Sequence, residues 1–335
     1  MRKPVVLKGI VSLLLVTAGS VKAQSDLHLQ LENLVSDAIF FTDKYITPAT
    51  DAAVYQAASS WMSTPKKKNL WDFNLGAHVN TFIVPKSDRK FTISNSDFSF
   101  FTIDGATSAV TPSALGSDKY VTLTGTLDNE PVVIKTPEGV NREAVVYPYV
   151  QGELGLLYGT ELVAKFSPRT TLKNVEYQVY GIGLKHNLSQ YFKNLSAKKI
   201  HLAALAAYSK EDISVAFLDV QTSYGNLGFN SLNSLIDTWQ LQFNGSKEFR
   251  KFELSAGLIM NTSDFEYKVN GNKGEIEQII PLQDILNNNL KSISKTKTNY
   301  IGEIAGRYQF SQIYLQTSVA FGKFVNSNIS VQYEF

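Results

Sequence analysis

Residues 328–335 read Asn328-Ile329-Ser330-Val331-Gln332-Tyr333-Glu334-Phe335. Polar and apolar side chains alternate at every step. A period of two is that of a β-strand, whose successive side chains point to opposite faces.

Working back from this stretch, the same pattern recurs. Ile313, Leu315, Thr317, Val319 and Phe321 share one face, opposite Gln312, Tyr314, Gln316 and Ser318. Tyr300, Ile304, Tyr308 and Phe310 oppose Asn299, Glu303, Arg307 and Gln309. Trp71, Phe73, Leu75, Val79 and Ile83 oppose Asp72, Asn74, His78 and Asn80. Leu154, Leu156, Tyr158, Leu162 and Phe166 oppose Glu153, Glu161 and Lys165. Two further runs are Trp239-Leu241-Phe243 and Phe252–Met260. Residues 175–186 and 200–208 alternate less cleanly but are also read as strands. These runs are roughly 10–15 residues long, where soluble strands average about 5–6. About 9–11 tilted residues cross a bilayer. Length with strict alternation therefore predicts an all-β, antiparallel transmembrane barrel. Alternation alone does not say whether the apolar face meets lipid or a second sheet.

Loop lengths set the strand count. Short links are expected near Ser311, Glu248, Lys210 and Pro168, and long ones at Thr222–Leu235 and Asp264–Thr298. With Lys119–Leu127, Pro131–Thr136 and Glu143–Val150 as further strands, the total is about 14, or about 12 if only one of these is kept. The long links are unusually apolar. Leu282, Ile285, Leu286, Leu290 and Ile293 suggest a short helix over the barrel mouth, or a loop packed on itself. Tyr224, Leu227, Phe229, Leu232 and Leu235 suggest a funnel for hydrophobic molecules, a loop core or a partner-binding patch.

The N-terminus reads as a secretory signal over residues 1–23. Arg2, Lys3 and Lys8 precede an apolar run Ile10–Val16, and Val21-Lys22-Ala23 precedes a cut before Gln24. The run is too short for a helical membrane anchor. With no cysteine in the chain, a lipid anchor, disulfides and thiolate chemistry are excluded. The whole chain carries +2, but four of its 32 basic residues lie in the signal. A mature chain near neutrality argues against nucleic acid as a partner. Residues 24–69 form a helical segment. Pro48 is expected to interrupt it, with a second short helix over Ala52–Met62. It either plugs the lumen, through Leu31, Leu34, Ile39 and Phe40, or hangs in the periplasm. Its apolar stripe favours the plug. The barrel domain is 70–335.

Chemistry has few footholds. The four histidines are scattered, and no hydrolase or zinc-protease motif occurs. No cofactor, no metal and no catalytic residue is predicted. Asp72, His78, Glu161, Glu303 and Arg307 are the candidate lumen residues, with Glu303 and Arg307 expected to form a luminal charge pair. Tyr333 and Phe335 are the candidate barrel-insertion signal, because an alternating last strand with a final aromatic is the pattern the barrel-assembly machinery reads.

Several stretches also resemble an uncharacterised family of Bacteroidetes outer-membrane barrels. They are Tyr45-Ile46-Thr47-Pro48 with its helix to Trp61, Phe73-Asn74-Leu75-Gly76 through Val84-Pro85, Gly155–Leu162, Tyr180–His186 and the terminal strand. That family is distantly similar to outer-membrane long-chain fatty-acid transporters. The resemblance implies a 14-stranded barrel with an N-terminal hatch that passes hydrophobic solutes. No ligand-contacting residue carries over. The expectation is a bacterial outer-membrane transporter or channel for small hydrophobic solutes, surrounded by lipid. A structural or surface-interaction barrel without transport is the alternative.

Overall fold

The computed structural model describes residues 5–335 except 217–220, 223–224, 227–229, 275–276 and 278–280. Helix α1 (Val5–Ala58) leads into β1 (Phe73–Ile83). A long excursion follows, with β2 (Lys90–Ser94), β3 (Thr102–Ile103), β4 (Ser108–Pro112), β5 (Thr122–Leu127) and β6 (Glu130–Lys135). The chain then builds β7 (Ala144–Gly155), β8 (Thr160–Leu172), β9 (Val175–Asn187), the short α2 (Lys193–Ala197) and β10 (Ile200–Ala216). The small pair β11 (Gln221–Thr222) and β12 (Gly225–Asn226) precedes β13 (Ser231–Phe249) and β14 (Phe252–Asn270). Helix α3 (Leu282–Leu290), β15 (Lys295–Phe310), β16 (Ile313–Phe321) and β17 (Val325–Glu334) complete it.

Ten of these strands close a barrel in the order β1-β17-β16-β15-β14-β13-β10-β9-β8-β7, and β7 returns to β1. Every neighbouring pair is antiparallel. Leu75 lies opposite Tyr333, and the N–H of Phe335 donates to the carbonyl of Phe73 at 2.8 Å, so β17 and Phe335 seal the barrel against the first strand.

The expected 14 or 12 strands are corrected to ten, as is the 14 implied by the resemblance. Residues 122–127 and 130–135 pair with β3 in a separate three-stranded sheet, while β2 and β4 form another. These sheets build a distal cap between β1 and β7, leaving only 144–155 of that region in the wall. Lys210 and Pro168 are not links. Lys210 sits inside β10, opposite Asp237, and Pro168 lies in β8 at a register shift between Ser167 and Thr170. The run 154–166 is instead two strands, turned at Leu157–Gly159. The basal links around Arg250 and Ser311 are tight, while the one between β9 and β10 runs through 188–199 and carries α2. The distal links are long except at Lys173 and 322–324.

The faces resolve the ambiguity left by alternation. Trp71, Leu315 and Tyr333 are 69%, 44% and 39% exposed, so no second sheet covers them. Asn328, Ser330 and Gln332 are buried inside the ring. The apolar face points outward and the polar face inward. Exposed aromatics cluster at the basal rim, including Tyr191, Phe249, Phe310 and Phe335, and a second row higher up holds Tyr180, Trp239, Tyr300 and Phe321.

Above the second row the polarity inverts. On β14 the outward residues change from Leu254, Leu258 and Met260 to Asp264, Glu266 and Lys268. The inward ones change from Glu253, Ser255 and Asn261 to buried Phe265, Tyr267 and Val269. The strand keeps its period of two and exchanges the roles of its faces. Its outer face is apolar below and polar above. The apolar interior so formed joins α1, α3 and the cap in one core.

Helix α1 passes unbroken through Pro48, correcting the expected break. A proline inside a helix costs about 3 kcal/mol. Burial of Tyr45, Ile46, Ala49, Ala53 and Val54 around the turn offsets that cost and keeps the helix continuous.

Candidate functional site

Two features occupy the interior: a stopper in the lumen and a cavity above it. The stopper is the end of α1 with the irregular segment to Asn69. A helix ends with carbonyls that lack intrahelical donors. Here the wall supplies them. Lys165 Nζ donates to the carbonyls of Ala57 at 3.1 Å and Ser59 at 2.7 Å. Gln240 donates to Ala58 at 3.1 Å, and the Tyr147 hydroxyl to Gln56 at 3.1 Å. A cation at this end also meets the negative pole of the helix. The Lys165 ammonium is further enclosed by the rings of Trp61 and Tyr149, 4.7 and 4.8 Å away.

Below the helix the chain descends the lumen. The Ser60 N–H donates to Glu303 Oε2 at 2.6 Å, and the Ser60 and Ser318 hydroxyls meet at 2.7 Å. The Ser63 hydroxyl donates to Glu153, and Thr64 Oγ1 to Glu253 Oε1 at 2.7 Å. Lys185 Nζ donates to the Thr64 carbonyl at 2.8 Å and forms a 2.6 Å ion pair with Glu161, both side chains buried. Lys68 ends the descent between Glu153 at 3.6 Å and Glu334 at 3.4 Å. Buried charges are tolerated only when paired and hydrogen-bonded, and these are. The stopper and wall are thus one polar network.

Above it lies a cavity of about 570 Å³, walled chiefly by apolar side chains. Leu34, Ala38 and Phe41 come from α1, Leu123 and Ile134 from the cap, and Leu232, Val269 and Leu286 from the distal strands and α3. Asp37 holds the cap against α1 by accepting the N–H groups of Ser99, Phe100 and Phe101 at 2.9, 2.7 and 2.9 Å. Lys173 pairs with Glu138 at 2.7 Å across the rim.

The wall beside this cavity is split. β7 pairs with β1 along its whole length, but with β8 only from Val150–Phe166 to Gly155–Glu161. Beyond that, Ala144–Tyr149 have no ladder partner on β8. Pro148 and Pro168 sit at the fork, and neither has an N–H to continue the ladder. The Ser167 hydroxyl bonds the Pro148 carbonyl at 2.9 Å as the last link. Behind the opening, Tyr147 meets Tyr177 of β9 edge-on, ring centroids 5.2 Å apart.

The site thus sits in a closed ring of ten antiparallel strands, apolar outside and filled by its own N-terminal segment. The chain belongs to the DUF6588 family. The model of that family, described only as being of unknown function, matches residues 1–335. No curated protein matches the sequence. This DUF6588 barrel is similar in structure to the translocator domain of autotransporter NalP from Neisseria meningitidis, at 10% identity and TM-score 0.35, covering 86% of this chain and 95% of that one. The outer membrane channel DcaP of Acinetobacter baumannii matches at 11% identity and TM-score 0.22, covering 80% and 96%. The outer membrane protease OmpT from Escherichia coli matches at 9% and 0.28, covering 83% and 100%. At these values the likeness assigns no activity.

In the DUF6588 chain His78, Glu161, Glu303 and Arg307 lie buried inside the ring. His78 stacks on Tyr149, centroids 4.5 Å apart, and its Nδ1 is 3.2 Å from Asn328. Asp72 is half-exposed at the foot of β1, where it accepts the Asn69 N–H at 2.8 Å. Glu303 and Arg307 do not form the expected pair, because four residues along a strand span about 13 Å. Glu303 holds the stopper, and Arg307 lies nearest Glu253 at 4.0 Å. Leu31 and Leu34 are buried and Ile39 and Phe40 half-buried, all against the cap side rather than deep in the lumen. Leu282, Leu286 and Leu290 are the buried face of α3. Leu232 is buried and Leu235 exposed. Tyr224, Leu227 and Phe229 lie outside the described residues, as do residues 1–4 of the expected signal. Among the described residues no group of acidic or histidine side chains converges for a metal ion, and no helix is long and apolar enough to cross a membrane, which says nothing of strands. Sequence reasoning put Lys165 and Glu153 on the polar face without singling them out. It missed Lys185, because glycines at 181 and 183 blur the alternation there.

Proposed function

We propose that this chain is an outer-membrane β-barrel that takes small hydrophobic solutes into its distal cavity and passes them into or across the membrane. The exposed apolar belt between two rows of aromatics supports membrane residence, since uncovered apolar surface of this extent is costly in water. The signal-like residues 1–23 support export, with cleavage before Gln24. Tyr333 and Phe335, on the strand that seals the barrel, are the pair offered to the assembly machinery.

The observation that carries the solute reading is the apolar cavity above a lumen sealed by polar contacts. Its wall suits an apolar molecule, which gains about 25 cal/mol for each Å² withdrawn from water. The stopper blocks the direct path. The split between β7 and β8 is the route that leaves the stopper in place, and displacement of residues 56–69 is the route that does not. The test is titration of the detergent-solubilised chain with an apolar fluorophore such as N-phenylnaphthylamine. Saturable binding should weaken at least tenfold in Leu123→Trp, which fills the cavity, and stay unchanged in Leu254→Trp on the outer belt. Equal binding in both variants removes the cavity from the account.

The second reading is a barrel with a structural or surface-interaction role and no transport. The stopper's extensive buried hydrogen bonding favours it. Proteoliposomes that bind the fluorophore but never transfer it would select that reading.

A further inference from the structure

At the basal end, a second cavity of about 240 Å³ opens where the stopper leaves the lumen. Six basic and four acidic side chains line it, so its wall carries excess positive charge. Most of the acids are committed elsewhere. Glu248 pairs with Lys66 at 2.7 Å, Glu334 with Lys68 at 3.4 Å, and Asp72 accepts the Asn69 N–H. Glu253 receives the Thr64 hydroxyl.

That leaves Arg307 underserved. Its side chain is only 6% exposed, and its nearest acidic neighbour, Glu253, is 4.0 Å away, beyond hydrogen-bonding distance. The guanidinium carbon lies over the Tyr314 ring, 3.6 Å from the centroid. Stacking fixes its plane and leaves its edges for hydrogen bonds. Nε and Nη2 have no hydrogen-bond partner. These two N–H groups form the edge that binds two oxygens of one anion side by side. Among the described residues, Lys67, Arg250 and Lys251 on the same wall make no ion pair.

We propose that this basal cavity is a binding site for a phosphate group, held in a bidentate manner by Arg307 with Lys67, Arg250 and Lys251 supplying charge. The cavity has room for a tetrahedral oxyanion and several waters. The group could belong to a free phosphate or to an anionic phospholipid headgroup, since the site lies at the membrane's edge. It is separate from the distal cavity and does not depend on transport.

The test uses the full chain in zwitterionic detergent, titrated with inorganic phosphate by calorimetry at constant ionic strength, with chloride as control. A parallel arm places it in nanodiscs with and without phosphatidylglycerol and follows thermal stability. Saturable phosphate binding supports the free ion. Stabilisation only with phosphatidylglycerol supports the headgroup. In either case Arg307→Gln should weaken binding at least tenfold. Arg307→Lys should also weaken it, because an ammonium cannot present the paired edge. Should the Arg307 variants fail to fold, the exposed triple variant Lys67→Gln, Arg250→Gln, Lys251→Gln must lower affinity several-fold. Neither phosphate nor phosphatidylglycerol acting beyond the chloride control overturns the proposal. So does undiminished affinity in folded Arg307→Gln.

Discussion

The N–H of Ser60 donates to Oε2 of Glu303 across 2.6 Å, joining residues 243 positions apart in sequence. This bond anchors the stopper just below the end of α1. Replacing Glu303 by Ala strands a buried donor, at a cost of about 1–3 kcal/mol. The urea midpoint should fall accordingly, and planar-bilayer recordings should show openings absent from the parent. A variant as stable and as silent as the parent would contradict the anchoring role.

Lys185 and Glu161 form a buried pair at 2.6 Å, side chains 1% and 0% exposed. Removing one charge leaves the other unpaired. Lys185→Met alone should destabilise by about 3–5 kcal/mol, and adding Glu161→Gln should recover much of that loss. A double-mutant cycle on equilibrium unfolding reads the coupling directly. Additive losses would mean that the pair is not coupled.

Asp37 accepts three consecutive N–H groups, from Ser99, Phe100 and Phe101. Asp37→Ala frees all three and should loosen the cap by about 2–3 kcal/mol. Limited proteolysis should then cut first near 98–104, with the ten-stranded wall intact. Unchanged protection of that segment would show that apolar packing alone holds the cap.

The opening between β7 and β8 can be locked, because the chain has no cysteine of its own. Val146→Cys with Thr171→Cys, bridged by a bifunctional thiol reagent, should cut solute transfer in proteoliposomes several-fold. Reduction of a cleavable bridge should restore it. Transfer that ignores the lock points to the lumen and to movement of the stopper.

The ring of Phe335 packs on Phe73 with centroids 5.6 Å apart and on Tyr333 at 4.6 Å. Losing both terminal rings, in Tyr333→Ala with Phe335→Ala, should lower the yield of assembled barrel in cells more than it lowers the stability of what does assemble. Heat-modifiable mobility on gels measures the first and urea unfolding the second. Equal yield would remove these residues from the assembly step.

The strands near the C-terminus were legible in the sequence because alternation is local. Ile329, Val331 and Tyr333 declare a face without reference to any neighbour. The polar residues His78, Glu161, Glu303 and Arg307 declare the opposite one in the same way. What those faces meet was not legible, since a barrel and a sandwich share the period. Closure of β1 on both β17 and β7 decided it. Strand ends are not legible where the phase of polarity inverts, as between Met260 and Asp264, because an outer face that turns from apolar to polar looks like the end of a strand. The count failed at 119–136 for a related reason: β5 and β6 alternate like wall strands, and only their pairing sends them to the cap. Pro48 carries a breaking tendency that the surrounding core overrides. The stopper contacts, the distal cavity and the partners of Arg307 join segments up to hundreds of residues apart. Local periodicity carries no information about such meetings. The residues set which side of each ribbon is apolar, and the closed ring alone sets what lies on either side of it.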